Sequence, residues 1–101
     1  MKEAWLNCII TPGQFSCEFA VEGKEHNGTP FSLFACEWDL KFRSAPTGME
    51  RTQGAIRVEV MQTSGTLALV RLPQATMENG DAVTVHIGEL TAIGCDKEFA
   101  R

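Results

Sequence analysis

The sequence is poor in the residues that usually build reactive or strongly charged sites. It contains no tyrosine and only two histidines, and its four cysteines form no C-x-x-C pair. Its nine Lys and Arg residues are scattered singly, and the net charge is −4. Nucleic acids and anionic membranes are bound by clustered basic residues that neutralise phosphates. The sequence therefore predicts neither a nucleic-acid partner nor a membrane partner.

Long apolar runs are lacking as well. No stretch approaches the roughly 18 apolar residues of a membrane-spanning helix, and the N-terminal residues, which include Glu3 and Asn7, do not resemble a secretory leader. We therefore expect a cytoplasmic protein. With 101 residues, of which 44% are hydrophobic and 22% charged, the composition predicts one globular β-domain spanning 1–101.

What the sequence does contain is period-two alternation of apolar and polar residues, which is typical of half-buried strands. Residues 55–72 predict a central hairpin, whose apolar residues meet on one face if the turn has three residues. Two such turns remain open: residues 64–66, which would pair Glu59 with Arg71, and residues 63–65, which would place two arginines opposite each other. The predicted inner face consists of Ile56, Val58, Val60, Ala68, Val70 and Leu72.

A second hairpin is predicted where the runs 4–11 and 15–23 flank Pro12 and Gly13. Symmetric closure around these two residues brings all of the apolar side chains of both runs onto one face. The predicted pairs are Leu6 with Phe19, Cys8 with Cys17, and Ile10 with Phe15.

Two further strands are predicted downstream. The longest alternating run, 31–43, changes its apolar face between Leu33 and Phe34, which predicts a β-bulge or bend there. Residues 82–90 predict the last strand, with Val83, Val85 and Ile87 facing inward.

These runs predict an all-β fold of about six strands, either a single compact antiparallel β-sandwich or a partly open β-barrel. At most one short helical turn is expected, near residues 73–79, where Pro73 can begin a turn and Gly80 can end it. Residues 44–54 predict the longest loop, and no internal repeat is apparent.

The cysteines are best explained as reduced residues. Cys8, Cys17 and Cys36 lie in runs of apparently core-facing residues, where a thiol behaves as a small hydrophobe. The spacing of these three and Cys95 gives no zinc knuckle, so we expect no metal. A disulfide between Cys8 and Cys17 stays open as an alternative, because the predicted register places them opposite each other.

No motif in the sequence specifies a reaction. His26 lies in a predicted turn and His86 at an outward strand position, where histidines are usually exposed polar residues, and no nucleophile has a partner at a known catalytic spacing. We expect no cofactor and lean against an enzyme. Glu37 and Asp39 project from one face of the same run, but Lys41 and Arg43 beside them indicate a solvated surface of mixed charge.

The apolar residues opposite the predicted core point to a function in binding. We predict a small non-enzymatic binding or adaptor domain that acts through an apolar surface, as a homo-oligomer with a dimer favoured. The alternative is a small-molecule-binding barrel or an undetected enzyme, with a pocket gated by the 44–54 loop. The candidate partner surface is Met61, Leu67, Leu69, Trp5 and Ile9. The candidate ligand pocket is Trp38, Arg51, Glu37, Asp39 and His86.

Overall fold

The fold is known from a computed structural model that describes residues 2–42, 46–47, 50–78 and 80–92. The described chain forms eight β-strands and two short 3₁₀ turns. The strands are β1 (Lys2–Pro12), β2 (Glu18–Lys24), β3 (Pro30–Cys36), β4 (Leu40–Phe42), β5 (Thr52–Ser64), β6 (Leu67–Arg71), β7 (Ala82–His86) and β8 (Leu90–Ala92). The first 3₁₀ turn is Glu37–Asp39 and the second is Ile87–Glu89.

All eight strands are antiparallel and belong to one sheet, which curls into a half-barrel. The order along the sheet is β3-β2-β1-β5-β6-β7, while β4 pairs with β5 and β8 pairs with β1. The predicted all-β class is confirmed. The strands number eight rather than about six because each 3₁₀ turn divides one predicted run into two strands.

The second four strands repeat the arrangement of the first four. Each set consists of three strands, a 3₁₀ turn and a short fourth strand. Leu40 lies opposite Ile56, and Leu90 lies opposite Leu6. Leu90 follows Leu40 by 50 residues and Ile56 follows Leu6 by 50 residues, so the two pairs are counterparts in the two halves. Because Leu6 and Ile56 also lie opposite each other, the sheet has a pseudo-two-fold axis through this pair. The repeat gives no signal in the sequence because the two halves share apolar positions but few residue identities.

The core follows from the alternation within the strands. Leu6 and Ile10 of β1 are buried, and so are Ile56 and Val58 of β5, with their polar neighbours on the outer face. The remaining core residues come from the strands on either side of β1 and β5. They include Val21, Phe31, Leu33, Ala35, Leu40, Ala68, Val70, Val83 and Val85.

The two edge strands of the half-barrel are each bonded by a connection from the other half. The His26 N–H donates to the Thr84 carbonyl on β7 at 2.9 Å, and the Met77 N–H donates to the Ser32 carbonyl on β3 at 2.8 Å. The Glu78 carboxylate accepts hydrogen bonds from both the N–H and the hydroxyl of Ser32, each at 2.8 Å. These bonds satisfy part of the exposed edges, which would otherwise be available for pairing with other chains.

The central hairpin closes differently from the prediction. Ser64 lies opposite Leu67, so the turn has two residues rather than three. A bulge at Met61 then shifts the register by one residue, and Glu59 lies opposite Arg71 as predicted for the turn at 64–66. Their side chains are 3.4 Å apart. The predicted inner face is therefore confirmed, because the bulge at Met61 supplies the extra residue that the prediction assigns to the turn.

The first hairpin has a longer loop than predicted. Ile10 lies opposite Val21, and residues 13–17 form a loop closed by a hydrogen bond from the Gly13 N–H to the Glu18 carbonyl at 3.0 Å. The three predicted pairs are therefore wrong. Phe15 is exposed rather than part of the core, and Pro12 lies within β1, so it does not begin a tight turn.

The apolar face of the 31–43 run switches later than predicted. Phe31 and Leu33 are buried and Phe34 is half-buried, so β3 alternates without interruption, and the first 3₁₀ turn resets the face before Leu40. The second 3₁₀ turn acts in the same way on the last predicted strand, leaving Ile87 partly exposed. Residues 73–78 form bends rather than a helical turn.

Gly54 provides a test of the packing between the two halves. A Cβ at this position would lie 2.5 Å from the Lys41 carbonyl oxygen and 2.6 Å from Ile10 Cδ1. We expect Gly54→Ala to lower the free energy of unfolding in urea by about 1–3 kcal/mol, because neither β1 nor β4 can move without disturbing its own ladder. Gly88→Ala is the matched control, since nothing lies within 4 Å of its added Cβ. Equal urea midpoints for the two variants would contradict this packing.

Candidate functional site

Two exposed aromatic side chains, here called the aromatic surface, lie on two segments whose backbones are hydrogen-bonded to each other, the first 3₁₀ turn and the loop of the first hairpin. Trp38 in the turn is 67% exposed and Phe15 in the loop is 71% exposed. Trp38 also lines an open groove of about 560 Å³. Its lining residues are Cys17, Glu37, Trp38, Leu40, Lys41 and Phe42.

The backbone holds these two segments together. The Glu37 N–H donates to the Cys17 carbonyl at 3.1 Å, which continues the β2–β3 ladder into the loop. Cys17 has a φ of 65°, which makes it the one residue other than glycine with a positive φ among the described residues. The segments that carry Trp38 and Phe15 are therefore joined by this hydrogen bond, and its acceptor, Cys17, has a strained backbone conformation.

Arg57 of β5 contacts the last two residues of the first 3₁₀ turn. The Arg57 guanidinium lies 3.9 Å from the Asp39 carboxylate and donates to the Trp38 carbonyl at 3.5 Å. Asn7 and Glu89 occupy the equivalent positions of the other half, and their side chains are hydrogen-bonded at 3.3 Å. Each 3₁₀ turn is thus tied to the central strands by an acidic residue at its end.

A second and larger open groove, of about 1380 Å³, shares Lys41 and Phe42 with the smaller one. Phe31, Phe42 and Cys8 contribute apolar lining, and residues 51–54 form one side. Several of its charged residues contact neighbours: Arg51 lies 2.9 Å from Glu22, Glu78 accepts from Ser32, and Glu89 accepts from Asn7. Lys24 lines the same groove.

The candidate ligand-pocket residues are distributed over several places. Trp38 and Glu37 line the smaller groove, whereas Arg51 lines the larger one. Asp39 contacts Arg57, and His86 lies beside His26 with the ring centres 6.4 Å apart. The structure therefore does not assemble all five into one pocket.

The candidate partner surface is only partly exposed. Trp5, on the outer face of β1, is flanked by two cations, with Lys41 Nζ 5.6 Å and the Arg57 guanidinium carbon 5.4 Å from its ring centre. Leu67 and Leu69 lie side by side on the outer face of β6 and are half-buried. The two others are also half-buried: Ile9 on β1, which lines the larger groove, and Met61 in the bulge of β5.

Two titratable groups have pKa values moved by their surroundings. Burial raises the pKa of the Cys8 thiol to about 12, so this thiol stays protonated and unreactive. The hydrogen bond from the Ser32 N–H, and then the one from its hydroxyl, lower the pKa of Glu78. Both shifts arise from contacts of the fold, one in the core and one at the edge of β3.

The described cysteines differ strongly in their surroundings. Cys8 is buried opposite Gly54, Cys36 is half-buried, and Cys17 is exposed. The predicted core position of Cys17 and the alternative Cys8–Cys17 disulfide are therefore wrong, because the observed register separates the two residues. Cys95 lies outside the described residues.

Phe15 was missed as a surface residue because the assumed register placed it opposite Ile10. The tight-turn signal of Pro12 and Gly13 misled the prediction, since proline is also compatible with the strand position that Pro12 occupies here.

Comparison with models of protein families, with curated proteins and with solved structures finds no match to this chain. The fold and the surface geometry therefore define the class, which is a small β-protein with an internally repeated half-barrel sheet. Within the residues that the structure describes, no three His, Cys, Asp or Glu side chains cluster closely enough to hold a metal ion. The same residues contain no helix long and apolar enough to cross a membrane.

Proposed function

We propose that this protein is a small non-enzymatic binding domain that recognises a protein segment through Phe15, Trp38 and the adjoining smaller groove. The observation that carries this proposal is the exposure of Trp38, at 67%. Leaving an indole and a phenyl ring in water forfeits the free energy of burying them, whereas a partner that covers them gains it. Exposed tryptophan is also among the residues that contribute most to binding at interfaces.

The internal repeat supports a specialised role for Trp38. The corresponding residue of the second 3₁₀ turn is Gly88, so the turn itself does not require an aromatic residue at this position. The last residues of the two turns, by contrast, have the same role in both halves, since Asp39 and Glu89 each contact a central strand. The indole is therefore an addition to the repeated framework rather than part of it.

The aromatic surface is a better candidate than the larger groove. All of the carboxylates of that groove already bond to Arg51, Ser32 or Asn7, so a ligand that bound them would have to displace these contacts. At the aromatic surface the Glu37 carboxylate is exposed and has no bonded partner among residues 2–42, 46–47, 50–78 and 80–92. Because the Glu37 carboxylate is exposed here and the whole chain has a net charge of −4, we expect a segment that places an apolar side chain next to Lys or Arg.

The proposal is tested by selecting binders from a random peptide library displayed on phage. We expect enriched peptides that combine an apolar residue with Lys or Arg, and we expect Trp38→Ala to weaken their binding by about 30-fold, as removal of a buried interface tryptophan does. Ile87→Ala is the matched control, because Ile87 is exposed on the equivalent turn of the other half. Failure to enrich any peptide, or equal affinity of the wild type and Trp38→Ala, would overturn the proposal.

Self-association is a second candidate, favoured by the adjacent Leu67 and Leu69 on the outer face of β6. A second copy covering this face would bury both side chains, which the outer face leaves partly exposed. The expected partner is the same face of another chain, related by a two-fold axis.

We expect Leu69→Glu to weaken such a dimer at least about 10-fold, because it places an unpaired charge in the interface. Light scattering coupled to size-exclusion chromatography measures the mass over a concentration series. Gln74→Glu adds the same charge at an exposed position in the connection between β6 and β7 and is expected to leave the dimer intact. A wild-type chain that stays monomeric throughout the series would contradict this candidate.

A further inference from the structure

The main-chain groups on the outer edge of β3 alternate with those that bond to β2. β3 is an end strand in the order of the sheet, beside β2. The Glu37 N–H donates to the Cys17 carbonyl, so every second residue from Glu37 back along β3 bonds to β2. The N–H and carbonyl groups of the residues between them therefore point away from β2. These residues include Ser32, Phe34 and Cys36.

Three of these outward groups are free. Both groups of Ser32 are engaged, since its N–H donates to the Glu78 carboxylate and its carbonyl accepts from the Met77 N–H. The Cys36 carbonyl accepts the first bond of the 3₁₀ turn, as the carbonyl of an N-cap residue does. The N–H and carbonyl of Phe34 and the N–H of Cys36 make no bond within the part of the chain that the structure describes.

The corresponding edge of the other half is bonded at its middle. The β7 residue that corresponds to Phe34 is Thr84, 50 positions later. Its N–H donates to the Glu25 carboxylate at 3.4 Å, and its carbonyl accepts from the His26 N–H at 2.9 Å. The middle of the β7 edge is thereby occupied. The middle of the β3 edge is open, and this is the half that also carries Trp38.

The open part of the edge leads directly to the aromatic surface. Glu37 and Trp38 follow Cys36 in the chain, and both line the smaller groove. Exposed edges usually carry charges or prolines that prevent pairing with a further strand. Residues 30–36 contain no charged side chain, and their one proline, Pro30, begins the strand at the end away from the free groups.

We propose that the segment recognised by the aromatic surface binds in extended form, as an additional strand hydrogen-bonded to Phe34 and Cys36. The segment donates one main-chain N–H to the Phe34 carbonyl. Two of its carbonyls accept from the N–H groups of Phe34 and Cys36. This inference rests on the proposed function and adds to it the backbone conformation of the partner.

A second copy of the chain fits this edge less well than a separate segment. A two-fold pair of β3 strands can be centred on Phe34 or on Ala35. Either arrangement forms two hydrogen bonds, because Ser32 and the Cys36 carbonyl are already engaged. A separate segment satisfies all three free groups, so the edge favours a segment of another protein.

The proposal is tested with two variants at one position, Phe34→Pro and Phe34→Ala. Both variants lose the phenyl ring, but proline also removes the outward N–H, which makes no bond to β2, and proline is tolerated at such positions of edge strands. For a peptide selected on the wild type, we expect Phe34→Pro to bind at least about 10-fold more weakly than Phe34→Ala, because a peptide carbonyl loses its donor. Urea unfolding of both variants checks that each is folded.

N-methylation of the peptide, one residue at a time, tests the same bonds on the wild-type chain and decides the question if Phe34→Pro does not fold. Methylation of the residue that donates to the Phe34 carbonyl is expected to weaken binding at least about 10-fold. Its two immediate neighbours are the matched controls, because their N–H groups point away from β3 in an added strand. Methylating them is expected to change the affinity less than about 3-fold.

Two results would overturn the extended binding mode alone. These are equal affinity of folded Phe34→Pro and Phe34→Ala, and N-methylation that is tolerated at every position or harmful at consecutive positions. In both cases the selected peptides still bind and still depend on Trp38, so the proposed function stands. Failure to select any peptide overturns both proposals.

Discussion

The pairing of β1 with β5 is the interaction on which the rest of the structure depends. These two strands are matched from Lys2 opposite Val60 to Ile10 opposite Thr52, and every other strand attaches to one of them directly or through a neighbour. At the centre of the pairing, Leu6 and Ile56 are almost fully buried. Burying two such side chains contributes about 1.5–3 kcal/mol each.

The halves joined by this pairing are incomplete without each other. The first half places β4 on β5 of the second half, and the second half places β8 on β1 of the first. Each edge strand is likewise hydrogen-bonded by the other half. Ser32 of β3 is bonded by residues of the second half, and Thr84 of β7 is bonded by the first half. Such reciprocal contacts make the formation of either half favour the other, which is a physical basis for cooperative unfolding.

The two halves of this repeated framework differ where the proposed binding surface lies. The framework needs an acidic residue at the end of each 3₁₀ turn, and both halves have one, in Asp39 and Glu89. It does not need an aromatic residue within the turn, and Trp38 and Gly88 differ accordingly. The hairpin loops differ as well, since the first half uses residues 13–17 where the second closes with a two-residue turn. The exposed rings and the strained Cys17 all belong to the first half.

The sequence predicted the class of fold because period-two alternation is a local signal. It also predicted the inner face of the central hairpin and the Glu59–Arg71 pair, although the bulge at Met61 that makes both compatible gives no pattern of its own. The 3₁₀ turns were missed because alternation on either side of them reads as continuous strand, which placed Trp38 in a strand and Ile87 in the core. The site is assembled by long-range register, since Cys17 meets Glu37 only once β2 and β3 have paired, and no local pattern specifies that register.

The most direct test of this account is a set of cross-strand nuclear Overhauser effects measured at the centre of the sheet. The pairing described here predicts that Leu6 gives backbone contacts to both Ile56 and Leu90, and that Ile56 gives them to both Leu6 and Leu40. Contacts from Leu6 to Phe19 in place of Leu90 would show that the first hairpin closes symmetrically around Pro12. That result would contradict both the exchange of strands between the halves and the position of the aromatic surface.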